Sequence, residues 1–218
     1  MPVAANVNVA AALLIVAVAV MFPGGAWAAQ RLLVLGDSLT AGYGLNAPDG
    51  FTPRLEEALR AAGRDVTVLN GGVSGDTTAG GRARVAWALG DKPDAVIVEL
   101  GANDGLRGVD PKATFANLDA IVTTLRDAGL PVLLAGMLAP PNLGRDYAAE
   151  FNAIYPRLAE KHGVDLYPFF LEGVAAKPEL NQEDGIHPNP DGVREVVRRI
   201  LPRVLKLLDR AATKAGAS

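Results

Sequence analysis

The chain predicts a three-layer α/β/α sandwich on a five-stranded parallel sheet, and three observations carry that prediction. Five short apolar runs recur along 218 residues, and each is nearly continuous rather than alternating. A strand that is apolar on both faces has both faces covered, as in a parallel sheet. Stretches with helical spacing separate the runs, and strand–helix–strand repetition builds this architecture. The length suits one domain, which can bury roughly 70% of its unfolded surface without a metal or disulfide.

The elements follow in order. Residues 1–28 hold a long apolar run, then Pro23-Gly24-Gly25 and Ala26-Trp27-Ala28. This reads as a secretory signal peptide cleaved near Ala28. It carries no Lys or Arg, and an uncleaved membrane anchor is the rival reading. Either way the domain from residue 29 to 210 is expected outside the cytoplasm, periplasmic or secreted. The strands are expected at 31–36, 65–70, 94–100, 131–137 and 164–168. Helical spacing marks "FTPRLEEALRAAG", "PKATFANLDAIVTTLRDAG", "YAAEFNAIYPRLAEKHG" and about 190–210. Pro202 should bend the last of these. Residues 211–218 read as a flexible tail.

Composition excludes several functions. The formal charge is −3 with both signs interspersed, so nothing points to nucleic acid. The chain has no cysteine, which removes thiol catalysis, cysteine metal sites and disulfides. A monomer acting on a small molecule is expected, without stable membrane insertion once the leader is cleaved.

In this architecture ligands bind beyond the carboxyl ends of the strands. The loops there read "GDSLTAGYG", "GGVSGDTTAGG", "GANDGLRG", "LAPPNLGRD" and "NQEDGIHPNPDG". They carry Ser38, Gly75, Asn103, Asp184 and His187. His162 instead sits in the last turn of a helix, where a cation is favourable, and reads as structural. His187 precedes Pro188, which pushes it into extended backbone. Asn189 and Pro190 then look like an N-cap and a first helical residue. Asp184 lies three residues before His187, close enough to fold back and fix the ring's tautomer. A hydroxyl needs such an oriented base to act as a nucleophile at neutral pH, and Ser38 supplies the hydroxyl. The Ser38 amide, the Gly75 amide and the Asn103 side chain are candidate oxyanion donors. Asp37, Asp76 and Asp104 read as local capping or bracing groups. Leu39, Tyr43, Leu45, Leu106, Leu138, Pro140 and Leu143 offer an apolar lining for an acyl chain or aromatic ester, unless they are partly core.

Four of these blocks resemble a known family. "GDSLTAGYG", the glycine of "SGDTT", the asparagine of "GAND" and "DGIHPN" are similar, in order, to the signature blocks of the SGNH (GDSL) hydrolase superfamily. The resemblance spans nearly all of residues 31–205. Segments such as "VELGANDGLRG" and "LYPFFLEGV" are similar to its bacterial periplasmic branch of acyl-CoA thioesterases, lysophospholipases and arylesterases. The resemblance implies a flavodoxin-like sheet, a Ser38-His187-Asp184 triad, and an oxyanion hole from Ser38, Gly75 and Asn103. It implies an acyl-enzyme route for esters and thioesters, with no cofactor and no metal. A short-chain or carbohydrate acetylesterase with the same triad is the alternative. A flavin- or phosphate-binding protein is a weaker rival, because "GDSLTAGYG" lacks the Lys-Ser/Thr ending of a P-loop.

Overall fold

The computed structural model describes Met1 and residues 29–216. The leader 1–28 and the end of the tail therefore lie outside the described residues, Met1 aside. Five strands form one sheet: β1 (Gln30–Gly36), β2 (Val66–Gly72), β3 (Ala95–Glu99), β4 (Val132–Ala135) and β5 (Asp165–Tyr167). Every pairing is parallel and the spatial order is β2-β1-β3-β4-β5. This is the flavodoxin-like order, with its switch point between β1 and β3.

The helices are α1 (Ser38–Ala41), α2 (Phe51–Ala61), α3 (Thr78–Ala88), α4 (Ala102–Leu106), α5 (Pro111–Asp127), α6 (Arg145–Asn152), α7 (Ile154–His162) and α8 (Pro190–Ala215). α2 packs on α8 along one layer, and α5 packs on α3 and α7 along the other. Leu32–Leu35, Val96–Val98 and Leu133–Ala135 are buried between them. The continuous apolar runs are thus the central strands, covered on both faces.

Four helices differ from their sequence reading. The segment read as one helix at 147–163 is two, α6 and α7, parted at Ala153. Pro156 explains the break, because it offers no N–H and its ring clashes with the carbonyl four residues back. α3 begins at Thr78, inside a stretch read as loop, with Thr77 as its N-cap. Its glycines hide the helical pattern, and Gly81 is small because a Cβ there would lie 2.3 Å from Leu100. α8 continues to Ala215, past the 190–210 expected. Leu207, Leu208 and Ala211 are buried, so the core contact of α8 reaches one residue past 210. The helix also runs through the exposed Pro202 without interruption.

Candidate active site

Both ends of the Ser38 turn are set by packing. β1 and β3 lie in register so that Gly36 pairs with Glu99. The chain leaves β1 through Asp37, whose side chain caps α1 by accepting from the Leu39 amide at 3.0 Å. Ser38 is therefore the first helical residue, and the N-cap is its neighbour. Leu39 and Thr40 are buried beneath it, which anchors the turn and leaves Ser38 at the sheet edge.

His187 reaches Ser38 from across 149 residues of sequence, with Nε2 2.9 Å from Oγ. Its Nδ1 lies 2.6 Å from Asp184 Oδ2. The second Asp184 oxygen accepts from the backbone amides of Ile186 and His187, at 3.0 Å each. Gly185, with φ +74°, makes that tight return possible. Partial desolvation pushes the Asp184 carboxyl upward. The His187 amide and ring and the Ile186 amide outweigh it and bring the carboxyl down to about 2. Asp184 is thus a fixed anion on the far side of the imidazole. As the sequence suggested, Asn189 caps α8 through the amides of Asp191 and Gly192, and Pro190 opens the helix.

The three expected donors lie on the loops after β1, β2 and β3. Gly75 has φ +81°, and a Cβ there would come only to 3.6 Å of Arg107. The glycine is required here by backbone conformation rather than by crowding within the chain. The Gly75 carbonyl accepts from Arg107 at 2.9 Å, which holds the peptide. Asn103 sits in α4 and donates from Nδ2 to Asp37 Oδ2 at 3.1 Å.

Asp76 and Asp104 brace the loops, in line with their reading as capping or bracing groups. Asp76 pairs with Arg84 at 2.7 Å, and Arg84 also donates to the carbonyls of Gly71 and Gly36. One guanidinium so ties the ends of β1 and β2 to the Gly75 loop. Asp104 is buried and accepts from Thr78 and Thr114, joining α3, α4 and α5. His162 contacts Asp119 at 2.7 Å at the end of α7, the structural place foreseen for it.

Three contributors have roles that the sequence reading did not give them. Tyr43 lies against His187, with ring centroids 4.7 Å apart. Gln182 donates to the carbonyls of Tyr43 and Pro188, strapping the His187 loop to the loop that follows Ser38. Glu99 is buried behind the turn, and an acid ending an apolar strand was the available signal.

Among the apolar candidates, Leu39 belongs to the core. Leu106 and Leu138 are about half exposed, at 52% and 49%. Pro140 packs near Gly105 of α4. Tyr43, Val73 and Ile186 are likewise exposed on loops at the carboxyl ends of the strands or beside His187. No helix among the described residues is long and apolar enough to cross a membrane.

Comparison with known proteins identifies the family. The model of the GDSL-like lipase/acylhydrolase family matches residues 34–195. An arylesterase of Vibrio mimicus is 44% identical over 182 residues, 83% of this chain and 91% of the relative. Thioesterase 1/protease 1/lysophospholipase L1 of Escherichia coli is 44% identical over 165 residues, covering 75% of this chain and 78% of the relative. The crystal structure of TesA superposes with a TM-score of 0.78 at 40% identity, over 82% of this chain and 99% of TesA. The chain belongs to the GDSL-like lipase/acylhydrolase family, the SGNH hydrolases, and is an ester and thioester hydrolase.

Proposed function

We propose that Ser38 is the nucleophile of this hydrolase, His187 its general base and Asp184 the carboxylate that orients the base. The observation that carries the reading is the unbroken chain from Asp184 through both imidazole nitrogens to Ser38. Asp184 accepts from Nδ1–H, which fixes the tautomer with a lone pair on Nε2. Nε2 takes the hydroxyl proton as Oγ attacks the acyl carbonyl. The amides of Ser38 and Gly75 and the Asn103 side chain receive the developing oxyanion. His187 then protonates the departing alcohol or thiol, leaving an acyl-enzyme that water cleaves by the same steps in reverse order. Each oxyanion donor is worth on the order of 10²–10³ in rate.

The substrate proposed is an ester or thioester of a medium or long acyl chain. Leu106, Leu138 and Pro140 would line its path, and their position on exposed loops after β3 and β4 supports this. The apolar leader sequence supports export to the periplasm or beyond, where a lysophospholipid is more accessible than acyl-CoA.

The test uses the 29–218 fragment and its Ser38→Ala variant on p-nitrophenyl esters of two to sixteen carbons, beside a lysophospholipid. Hydrolysis of the longer esters, lost by at least about 10³-fold in the variant, is expected. Cleavage of acetyl and phenyl esters alone would move the substrate to short-chain esters. A variant that keeps its rate would remove Ser38 from the mechanism.

A further inference from the structure

Two carboxyls are buried immediately behind the nucleophile, and the mechanism above uses neither. Asp37 and Glu99 both have no exposed surface. Asp37 spends one oxygen on the Leu39 amide, as any N-cap does, and the other on Asn103 Nδ2. Glu99 Oε2 accepts from the Thr40 hydroxyl at 2.7 Å and from the Asp37 amide at 3.4 Å. Its Oε1 has no hydrogen-bond partner.

A carboxamide is nearly symmetric in shape, so hydrogen bonding alone decides which end faces which neighbour. An ionised Asp37 is purely an acceptor. It draws the NH₂ end of Asn103, uses one of its two N–H bonds, and leaves the other for an oxyanion. The inverted amide would turn a carbonyl oxygen toward the developing negative charge.

Asp37 must then carry the charge and Glu99 the proton. Burial pushes both carboxyls up, Asp37 to about 6 and Glu99 well above its ordinary range. Asp37 is relieved by the Leu39 amide, the Asn103 amide and His187, while Asp76 opposes it. Asp37 raises Glu99 further, and Glu99 has an oxygen that nothing satisfies. Arg84, the nearby cation, is engaged by Asp76 and two backbone carbonyls. Tyr155 on α7 senses both carboxyls from a buried position, and its hydroxyl donates to the Leu100 carbonyl.

We propose that Asp37 is a positioning residue that presents the Asn103 amide to the oxyanion, and that Glu99 stays protonated so that the pair holds a single negative charge. This rests on the reading of Ser38 as nucleophile and Asn103 as oxyanion donor.

The test is a double-mutant cycle on kcat for a p-nitrophenyl ester at pH 8. In Asp37→Asn the new amide keeps the cap with its oxygen and turns its NH₂ toward Asn103, inviting the inverted amide. A loss of about 10²-fold in kcat with KM within twofold is expected, matching the loss of one oxyanion donor. Asn103→Ala alone should lose 10²–10³-fold, and the double variant no more than threefold beyond that, since Asp37 acts through Asn103. Asp37→Ser retains a good N-cap but not the second acceptor, and should lose as much as Asp37→Asn. Glu99→Gln, isosteric with a neutral acid, should keep kcat within threefold. The final extent of Ser38 labelling by a fluorophosphonate after long reaction, not its rate, reports separately that each variant is folded with a reactive serine. The proposal falls if either Asp37 variant, once labelled, keeps the wild-type kcat, or if the losses multiply in the double variant. A Glu99→Gln loss equal to that of Asp37→Asn would overturn the charge assignment. A Ser38→Ala enzyme that stays active would instead sink the nucleophile reading and leave the cause there.

Discussion

A methyl group on Gly36 would sit 2.0 Å from the Thr40 hydroxyl and 2.6 Å from Glu99 Oε2. Gly36 does not have a positive φ, so space for the Glu99–Thr40 bond and not backbone strain makes it glycine. The same burial that protects this bond raises the Glu99 carboxyl well above its unfolded value near 4.3. A raised carboxyl gives stability that is complete below its unfolded value and is lost as pH rises through its folded value, because the fold must hold a proton that the unfolded chain releases. Glu99→Gln removes that dependence. The melting temperature of the variant minus that of wild type should therefore increase from pH 4 to pH 8. Each kcal/mol is worth about 2–4 °C in a chain of this size. A difference that is constant with pH, measured by thermal unfolding in matched buffers, would mean that Glu99 is ionised in the fold.

At the scale of elements, the site is held by strand ends and caps. β1 and β3 deliver Ser38 and Asn103 to the same edge, and Gly36 paired with Glu99 sets their register. α8 has two tasks. Its first turn, capped by Asn189, fixes the loop that carries His187. Its last turns fill the core beside α2 with Val204, Leu207 and Leu208, all fully buried. Leu208→Ala removes buried volume that neighbours cannot refill, at a cost of about 2–5 kcal/mol. That corresponds to a fall of roughly 4–20 °C in melting temperature. Because Leu208 sits far along α8 from His187, kcat below the transition should stay within twofold of wild type. A loss of activity without a loss of stability would show that the end of α8 shapes the site directly.

For the molecule as a whole, much is legible in the sequence. The five apolar runs became β1 to β5 in parallel order, and in β1, β3 and β4 burial on both faces writes itself as near-unbroken Val, Leu, Ile and Ala. The meeting of Ser38, Asp184 and His187 was legible because polar residues collect in the loops that such a sheet places at one edge, and three residues suffice to bring Asp184 back onto His187. Other features were illegible for physical reasons. Gly80 and Gly81 erase the apolar stripe of α3, so its start read as loop. Pro156 divides two helices whose outward pattern is continuous. The grip of Asp37 on Asn103 spans 66 residues and depends on side-chain geometry that no spacing encodes. The role of Gln182 is similar, since its partners are backbone carbonyls and carry no residue signature.

The most direct test of the central claim is the intact mass of the 29–218 fragment after reaction with an alkyl fluorophosphonate, followed by peptide mapping. The nucleophile, its oriented base and the oxyanion donors must all be assembled for that reaction to be fast. One adduct, confined to the peptide bearing Ser38 and absent from Ser38→Ala, is the expected result, with hydrolysis abolished in proportion to labelling. Full labelling at another residue, or full inactivation without an adduct on Ser38, would contradict the account.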